Sequence, residues 1–423
     1  MVSEKLLHFV WKYSLYDVKH LCTLSGEPIE VINPGIHNTN EGPDFFNARI
    51  KIGQTIWAGN IEIHRKTSDW LAHKHHLHNQ YSTIVLHLVY ENDCSLEQIN
   101  SKGIPTALLN FNQHIIENYE YLQKNELWIP CAGKEMLSNT IKLEFWLNQL
   151  AIERLEHKTS EINSKLINSK SSWEEAFYIT LARSFGFGLN AEPFEKLAMS
   201  IPLNYIAKHK NNQLQIEALF FGQAGFLADD FPLDEYFNLL KREYLFLQSK
   251  FTLLPMDKNY WKFLRLRPVN FPTIRIAQFA NLIHKSSSMF SKIIEAASIE
   301  QIRVLLQAEV SEYWHTHYVI GKTSRKSAKH IGTDAINTLL VNTIIPFLFV
   351  YGKSKDNEDI INRALQFLER IPPERNSIIT KWKEHHLVAK NAFESQALLQ
   401  LKNEYCTHKR CLDCHIGSHI IRS

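Results

Sequence analysis

The sequence predicts an α/β domain in residues 1–130, followed by a larger all-α domain in residues 131–423 that ends in a cysteine cluster. In the first part, short segments with alternating or β-branched apolar residues are separated by glycine and proline turns. From about residue 138 onward, apolar residues follow long helical periods and glycine or proline mainly interrupts them. A chain of 423 residues also exceeds the length at which one hydrophobic core usually keeps growing.

A short helix and four strands are predicted in the first domain. The helix lies near residues 5–13, and the run STIVLHLVY at 82–90 is the nearly continuous apolar segment expected of a strand buried on both faces. Residues 69–80 have helical spacing and suit the crossover that a parallel strand pair requires. The alternation in the third strand shifts by one residue near Gly59. The predicted strands are residues 29–32, 45–52, 55–64 and 82–90.

The second domain is predicted to be entirely helical, and no repeat period indicates a solenoid. Residues 103–130 form the expected transition between the two domains. The predicted helices lie near residues 140–158, 173–185, 193–200, 213–222, 234–249, 272–283, 299–308, 335–351, 358–370 and 391–406.

The composition is that of an ordinary globular protein, with 44% apolar and 22% charged residues. The formal charge of +3 arises from 47 basic and 44 acidic residues. This balance excludes a uniformly basic protein, so any surface for nucleic acid must be a local patch.

A cytoplasmic protein without a membrane segment is expected. Glu4, Lys5 and His8 interrupt the apolar residues near the N-terminus, which therefore lacks the core of a secretory signal. The longest apolar stretch, residues 339–351, contains Pro346 and is too short to cross a bilayer, so we expect a buried helix. Six cysteines are too few for a disulfide scaffold, and three of them lie within the last eighteen residues, which favours metal chemistry in a reducing compartment.

Two acidic residues at strand positions form the most informative motif. Asp44 follows Pro43 at the start of one predicted strand, and Glu62 and His64 lie in the next. Side chains alternate along a strand, so Glu62 and His64 point to the same face, and Asp44 meets them across the hairpin. Two carboxylates on rigid strands suit Mg²⁺ or Mn²⁺. The alternative is structural, with Asp44 capping a turn and Glu62 on a solvated strand face.

This arrangement resembles the PD-(D/E)XK nuclease superfamily, in which a proline-aspartate on one strand and an acid-x-lysine on the next form the catalytic site. The resemblance implies a restriction-endonuclease-like mixed sheet flanked by helices, with Asp44 and Glu62 as metal ligands. His64 stands where that motif has lysine, and a neutral imidazole accepts a proton near pH 7. Lys51 and Lys66 are near in sequence and can replace the lysine from another direction, as migrated lysines do in that superfamily.

Polar residues around the motif supply further candidates for holding metal or substrate. Asn40 and Glu41 lie in the loop before the first of these strands, and Asp69, His73 and His76 lie in a histidine-rich segment after the second. On a helix, His73 shares a face with Asp69 and His76. A zinc hydrolase that uses His73, His76 and a nearby acid is therefore an alternative, although a helical pair provides only two of the ligands zinc needs.

The spacing Cys406-x4-Cys411-x2-Cys414 is suited to one soft-metal centre. The fourth ligand is Cys131, His408 or His415, and we favour Cys131. This choice resembles nucleases of the same superfamily that hold a [4Fe-4S] cluster with one early and three late cysteines. Zinc suits the same ligands.

A basic segment in the second domain, KFLRLRPVNFPTIR, is a candidate surface for nucleic acid. Its cations alternate with aromatic and apolar residues, a pattern that can follow a phosphate backbone and stack bases. Arginines that extend over a helical core and pair with acids give the same pattern. The four cations are Lys262, Arg265, Arg267 and Arg275.

Segments from both halves of the chain resemble a bacterial family known as domain of unknown function 2851. These segments are GPDF, GNIEIH, SDW, HKHH, EALFFGQAG, RLRPVNFPTIRIAQ and YC-x4-CL-x-C-x-IG. This resemblance supports the domain description and implies no particular activity.

These observations together predict a Mg²⁺- or Mn²⁺-dependent nuclease that hydrolyses DNA or RNA, in which Asp44 and Glu62 bind the metal and His64 orients or deprotonates water. The alternative is a catalytically inactive protein that keeps the nuclease fold and binds nucleic acid or acts as a scaffold.

Overall fold

The computed structural model describes residues 2–73, 78–94, 103–134, 140–228, 234–286 and 288–423. The chain divides into two compact units. The first unit consists of Met1–Trp146 and Gln400–Ser423, and the second is Leu147–Leu399. The residues after 399 therefore belong to the first unit, whereas the sequence pattern places them at the end of the helical domain. The division at residues 130 and 131 stays a prediction.

A mixed sheet of six strands forms the centre of the first unit. The order is β1-β3-β4-β5-β6, and β2 pairs with β3 beside β1. The β1, β2 and β4 strands are antiparallel to β3, whereas β5 is parallel to both β4 and β6. The strands are β1 (Ile29–Asn33), β2 (Ile36–His37), β3 (Phe45–Ile52), β4 (Thr55–Lys66), β5 (Ile84–Glu91) and β6 (Thr106–Leu108).

The prediction of a buried central strand is confirmed by β5. It lies between β4 and β6, and its first six residues are buried on both faces. Such a strand can be apolar throughout because neither face contacts water. His87 is the polar exception within this run.

Among the described residues of the first unit, four α-helices and a π-helical turn, Leu401–Cys406, accompany the sheet. The α1 helix begins after Ser3, whose hydroxyl accepts a hydrogen bond from the Leu6 N–H at 3.3 Å. Its apolar face is buried, whereas Lys5 and Lys12 are exposed. The helices are α1 (Glu4–Lys12), α2 (Asp69–Ala72), α3 (Gln113–Lys124) and, at the C-terminus, α19 (His415–Arg422), with the start of α4 (Thr140–Asn168).

Among its described residues, the second unit is helical apart from a short β-hairpin, which the all-α prediction did not include. Aromatic side chains such as Phe177, Phe220 and Phe279 are fully buried in its core. Its helices after α4 are α5 (Trp173–Phe185), α6 (Ala191–Met199), α7 (Leu203–Ala207), α8 (Gln213–Gln223), α9 (Glu235–Phe251), α10 (Pro272–Lys285), α11 (Met289–Glu295), α12 (Ile299–Leu305), α13 (Glu312–His315), α14 (Thr333–Leu339), α15 (Ile345–Ser354), α16 (Glu358–Arg370), α17 (Ser377–Glu384) and α18 (Ala392–Gln400); the hairpin is β7 (His317–Val319) with β8 (Lys322–Thr323).

The apolar stretch at residues 339–351 lies in a continuous helical segment, Thr333–Ser354. This is the one segment of the described residues that is long and apolar enough to cross a membrane, and 72% of its apolar window is buried inside the protein. A π-helical turn, Leu340–Ile344, joins α14 to α15. The buried helix expected from the sequence is confirmed, but the helical segment extends beyond residues 339–351 and is not too short to cross a bilayer.

Gly59 permits the close approach of β5 to β4. A Cβ atom at this position would lie 2.4 Å from Val85 Cγ1 and 2.6 Å from the Thr83 carbonyl oxygen. The strand registers are also irregular here, between Phe45 and Ala48 on β3 and between Asn60 and Ile61 on β4. The shift in alternation near Gly59 in the sequence corresponds to this irregularity.

We expect Gly59→Ala to lower the free energy of unfolding by about 1–3 kcal/mol, because the added methyl overlaps the neighbouring strand. Urea denaturation of the purified protein measures this change. Gly332→Ala is the control, since nothing lies within 4 Å of a methyl group there, and it should cost less than Gly59→Ala. Equal losses in the two variants would contradict the assigned packing.

Candidate functional site

The β3–β4 hairpin brings the Asp44 and Glu62 carboxylates together. Asp44 immediately precedes β3, and its backbone N–H donates a hydrogen bond to Glu62 Oε2 at 3.3 Å. In return, the Ile63 N–H donates to Asp44 Oδ2 at 2.8 Å. Each carboxylate is thus held by the backbone of the other residue's segment, which fixes both side chains against the sheet.

His64 lies beside Glu62 on the same face of β4, as the alternation of the strand predicts. Its Nε2 atom is 3.6 Å from Glu62 Oε1 and 3.2 Å from His73 Nδ1. Its Nδ1 atom is 2.9 Å from Nε2 of His87, which lies on β5 opposite Glu62. Glu62, His64 and His87 are all at least 96% buried. The structure therefore places two carboxylates and three imidazoles in one contiguous polar cluster.

The α1 helix adds two residues to this cluster. His8 Nε2 lies 3.3 Å from Asp44 Oδ2. The carboxylate of Glu4 and ring nitrogens of His64 and His73 all lie within 4.8 Å of one another, a spacing at which three ligands can share one metal ion. Glu4 and His8 are four residues apart and so face the same side of the helix.

Burial and mutual repulsion shape the electrostatics of the acidic pair. Burial, reinforced by the charge of Asp44, raises the pKa of Glu62 to about 9. Burial alone would lower the pKa of His8, but its hydrogen bond to Asp44 and the charges of Asp44, Glu4 and Glu62 outweigh burial and raise it. In the absence of a cation, these effects favour the protonated form of Glu62.

The other predicted neighbours of the site have mostly local roles. The Lys66 ammonium lies 3.4 Å from Glu91 and 3.7 Å from Asp93, and its backbone N–H donates to Asp69 Oδ2 at 2.9 Å. Asn40 and Glu41 are exposed, and their carbonyl groups accept hydrogen bonds from Asn38. Of the predicted histidines, His73 joins the cluster, and His76 lies outside the described residues.

The four predicted cysteine ligands all belong to the first unit. Cys131, Cys406, Cys411 and Cys414 are buried and are not disulfide-bonded. Burial, with the charges of the neighbouring thiols, raises the pKa of Cys131 and of Cys411 to about 12, and that of Cys406 further. These mutual effects show that Cys131 lies within electrostatic range of the three late cysteines.

The chain after Cys406 packs closely against its own cysteines. The backbone N–H groups of Ile416 and Gly417 stabilise the charged form of Cys414, which opposes the effect of its burial. A Cβ atom on Gly417 would lie 2.3 Å from the Cys411 carbonyl oxygen, so α19 can pack here only with glycine. His415 stacks on Trp146 with ring centroids 4.4 Å apart. This stacking gives His415 a packing partner, whereas Cys131 interacts electrostatically with the other thiols.

The predicted basic segment lies in the second unit and does not form one surface. Lys262, Arg265 and Arg267 are exposed, but Arg275 is only 8% exposed. Its guanidinium donates to Gln278 and Asn270 at 2.9 and 2.7 Å, and burial lowers its pKa to about 10. Arg275 therefore stabilises the fold locally. The role of the other three in nucleic-acid binding stays a prediction.

Glu4 and His8 are members of the cluster that the sequence pattern did not predict. Both are in a helix whose other residues indicate ordinary packing, and 36 residues separate His8 from Asp44. The available signal was the spacing of Glu4, His8 and Lys12, which places three polar residues on one helical face. That spacing identifies a shared face but not its partner.

Comparison with known protein families identifies a match over most of the chain. A family model described as "Protein of unknown function (DUF2851)" matches residues 4–377. No curated protein and no solved structure matches the chain. The matched region includes the carboxylates, the histidines and Cys131, and it ends before the three late cysteines.

We expect Glu62→Gln to make the metal-free protein more stable than the wild type as pH rises from 5 to 9. The folded pKa of about 9 lies above the ordinary value of 4.5, so the contribution of Glu62 to stability is complete below pH 4.5 and is lost towards pH 9. The loss is at most about 1.4 kcal/mol per pH unit, and glutamine removes it. Urea denaturation in a chelator, at several pH values, measures the difference.

Glu30→Gln serves as the control because Glu30 is exposed on β1. Its pH dependence should have the same shape as that of the wild type. A Glu62→Gln curve parallel to the wild-type curve would show that Glu62 is not held in a site that raises its pKa.

Proposed function

The chain belongs to the DUF2851 family, and we propose that it is a metal-dependent phosphodiesterase that hydrolyses DNA or RNA. The observation that supports this proposal is the convergence of Asp44, Glu62 and His64 on one side of the β3–β4 hairpin. Acidic ligands next to a buried imidazole are the groups that metal-assisted phosphodiester hydrolysis requires.

The chemistry of this cluster fits a divalent cation. Asp44 and Glu62 are so close that their repulsion contributes to the raised pKa of Glu62, and a cation between them would relieve that repulsion. Oxygen ligands suit Mg²⁺ or Mn²⁺. When bound, such an ion supplies positive charge that stabilises phosphate oxygens and acidifies water.

His64 is positioned to orient water or accept its proton. A proton on Nδ1 would be donated to His87 Nε2, 2.9 Å away, which leaves the basic lone pair on Nε2, the atom that faces Glu62 and His73. His87 then acts as a positioning residue, because it selects the tautomer and orientation of His64. The ordinary pKa of an imidazole lies closer to neutral pH than that of a lysine ammonium, which makes histidine the better match to a general base.

The topology of the first unit also supports the resemblance to the PD-(D/E)XK superfamily. Asp44 immediately precedes β3, Glu62 lies on the antiparallel strand β4, and the next strand, β5, pairs with β4 in parallel. We propose a restriction-endonuclease-like arrangement on this basis. The substitution of lysine by His64 is the main departure.

We also propose that Cys131, Cys406, Cys411 and Cys414 hold a structural metal centre, either a [4Fe-4S] cluster or zinc. Four buried thiols repel one another once they are ionised, and a bound cationic centre would offset this repulsion by coordinating the thiolates. The centre would tie the C-terminal segment to residue 131 within the first unit.

A second candidate function is a zinc hydrolase that uses Glu4, His64 and His73. The observation that favours it is that their ligand atoms all lie within 4.8 Å of one another. Two imidazoles and one carboxylate form a common catalytic zinc ligand set. This version of the histidine-zinc hypothesis replaces His76 with His64, and the carboxylates of Asp44 and Glu62 would then surround the reacting group.

We expect the double variant Asp44→Asn/Glu62→Gln to lose Mn²⁺ binding and Mn²⁺-dependent cleavage of nucleic acid. The cleavage rate should fall by more than the 10- to 100-fold that is typical when a residue hydrogen-bonded to a metal ligand is replaced. Isothermal titration with Mn²⁺ and gel assays on labelled single-stranded and duplex DNA and RNA measure both effects. A wild-type protein that binds Mn²⁺ but cleaves none of these would favour the catalytically inactive alternative.

The variant Glu4→Gln/His73→Ala separates the two metal assignments. If Asp44 and Glu62 hold the ion, this variant retains Mn²⁺ binding. Under the second candidate, it loses stoichiometric zinc while Asp44→Asn/Glu62→Gln retains it. Zinc analysis should use protein in which the three late cysteines are replaced, so that the second centre does not contribute.

We expect protein purified without oxygen to contain either about four irons with equivalent sulfide or one zinc per chain, bound by the four cysteines. Replacement of Cys406, Cys411 and Cys414 by serine should remove this metal and lower the thermal midpoint, because metal binding contributes to folding. Elemental analysis and thermal unfolding measure the two effects. Cys22→Ser, at an exposed cysteine, is the control and should change neither. Wild-type protein without either metal would contradict the assignment.

A further inference from the structure

A cavity of about 870 Å³ lies within the first unit, next to the carboxylate and histidine cluster. Its wall is formed by one face of α1, by residues 37–39, by two side chains of α3, by Lys142 and by the C-terminal segment from His408 to Arg422. All of these residues belong to the first unit. The proposed catalytic residues Asp44, Glu62 and His64 are not among them.

Basic side chains predominate on the cavity wall. Of the described residues that line it, Glu4 and Asp413 are the acidic ones, and Asp413 accepts a hydrogen bond from Arg410 at 3.2 Å. Five histidines add positive charge when they are protonated. The lysines and arginines are Lys5, Lys12, Lys142, Lys409, Arg410 and Arg422. A concave surface with this excess of cations attracts anionic ligands.

An aromatic side chain lies among these cations. Tyr13 lines the cavity and is 40% exposed. The Arg422 guanidinium lies 4.8 Å and the Lys12 ammonium 5.5 Å from the centroid of its ring. Proteins that bind single-stranded nucleic acid combine cations for the phosphates with aromatic rings on which bases stack. Tyr13, Lys12 and Arg422 provide this combination.

The α1 helix connects the cavity to the proposed catalytic residues. Glu4, His8 and Lys12 are spaced by four residues and all line the cavity. His8 Nε2 lies 3.3 Å from Asp44 Oδ2, and Glu4 is grouped with His64 and His73. A strand bound against Lys12 and Tyr13 would thus need to continue along only two helical turns to reach the carboxylates.

The C-terminal segment holds its side of the wall rigidly. Gln123 Nε2 donates to the Lys409 carbonyl at 3.0 Å, and Lys409 Nζ donates to the Gln123 carbonyl at 2.5 Å. His408, Lys409 and Arg410 also lie between two of the clustered cysteines, Cys406 and Cys411. The basic wall is therefore a built part of the first unit.

We propose that this cavity binds a short stretch of single-stranded nucleic acid and directs its backbone to Asp44 and Glu62. The delivery of the backbone to Asp44 and Glu62 rests on the proposed function, whereas the binding of the strand in the cavity does not. The volume is within the range of about 300–1,000 Å³ for pockets that enclose small ligands, which suits a few nucleotides of one strand and not a duplex.

Fluorescence anisotropy in a chelator tests binding without cleavage. The probe is a labelled twelve-nucleotide single strand of DNA, compared with its RNA counterpart and with a duplex of the same length. We expect the single strand to bind at least tenfold more tightly than the duplex. Lys12→Glu should weaken binding at least tenfold and reduce the slope of log K against log salt by about 0.7 for each phosphate that the variant no longer neutralises.

Tyr13→Ala should weaken binding about tenfold with an unchanged salt slope, because stacking involves no counterion release. Lys19→Glu makes the same charge change as Lys12→Glu at an exposed lysine that does not line the cavity, and its affinity should stay within twofold of wild type. Thermal midpoints of all variants, compared with wild type, identify any affinity loss that results from unfolding.

The proposal is overturned if neither single strand binds, or if Lys12→Glu and Lys19→Glu lower the affinity equally in folded proteins. It is also overturned if thymidine monophosphate displaces the strand at equal concentration, because that result would indicate a pocket for a single nucleotide. The same measurements separate failure of this proposal from failure of the proposed catalytic function. If the strand binds in a way that depends on Lys12 and Tyr13 but is not cleaved in Mn²⁺, the binding cavity is supported and the phosphodiesterase activity is contradicted. If the protein cleaves nucleic acid and Lys12→Glu leaves the cleavage rate unchanged, the activity is supported and the role of the cavity is contradicted.

Discussion

Two carboxylates held against each other in a largely buried setting are the constraint on which the first unit depends. Asp44 and Glu62 each accept a hydrogen bond from backbone of the opposite segment, so the β3–β4 hairpin cannot shift register without losing both bonds. Burial, together with the nearby charge of Asp44, raises the pKa of Glu62, so the ionised form of Glu62 is electrostatically unfavourable in this fold. Unfavourable ionisation of this kind is typical of functional sites, where a bound cation or a reacting group offsets the repulsion between the carboxylates.

The histidines around this pair come from four separate elements. His64 lies on β4, His87 on β5, His73 just after α2, and His8 on α1. The parallel pairing of β4 with β5 sets Glu62 opposite His87, and the irregular register at Asn60 and Ile61 accompanies the close approach at Gly59. The backbone geometry of β4 and β5 near Gly59 therefore helps to determine how Glu62 and His87 are placed in the cluster. The last segment of the chain then adds the cysteines and the basic wall of the cavity to the same unit.

Several features were predictable because they follow from local patterns. The alternation in residues 45–52 and 55–64 placed Asp44, Glu62 and His64 together, and the β-branched run of β5 indicated a strand buried on both faces. Helix limits such as Trp173–Phe185 and Glu358–Arg370 follow from capping residues and apolar periodicity. The basic segment shows where pattern fails, since Arg275 has the same neighbours in sequence as exposed cations but is buried on Asn270 and Gln278.

The sequence by itself determined the two classes of secondary structure, the acidic hairpin motif and the spacing of the late cysteines, because each depends on residues close together in the chain. Only the tertiary structure decided that Glu4 and His8 join the cluster, that Cys131 lies within electrostatic range of the three late cysteines, and that residues after 399 belong to the first unit. These contacts join segments separated by tens to hundreds of residues. Side-chain periodicity defines which face of an element is polar, but the packing of the whole core selects the partner of that face.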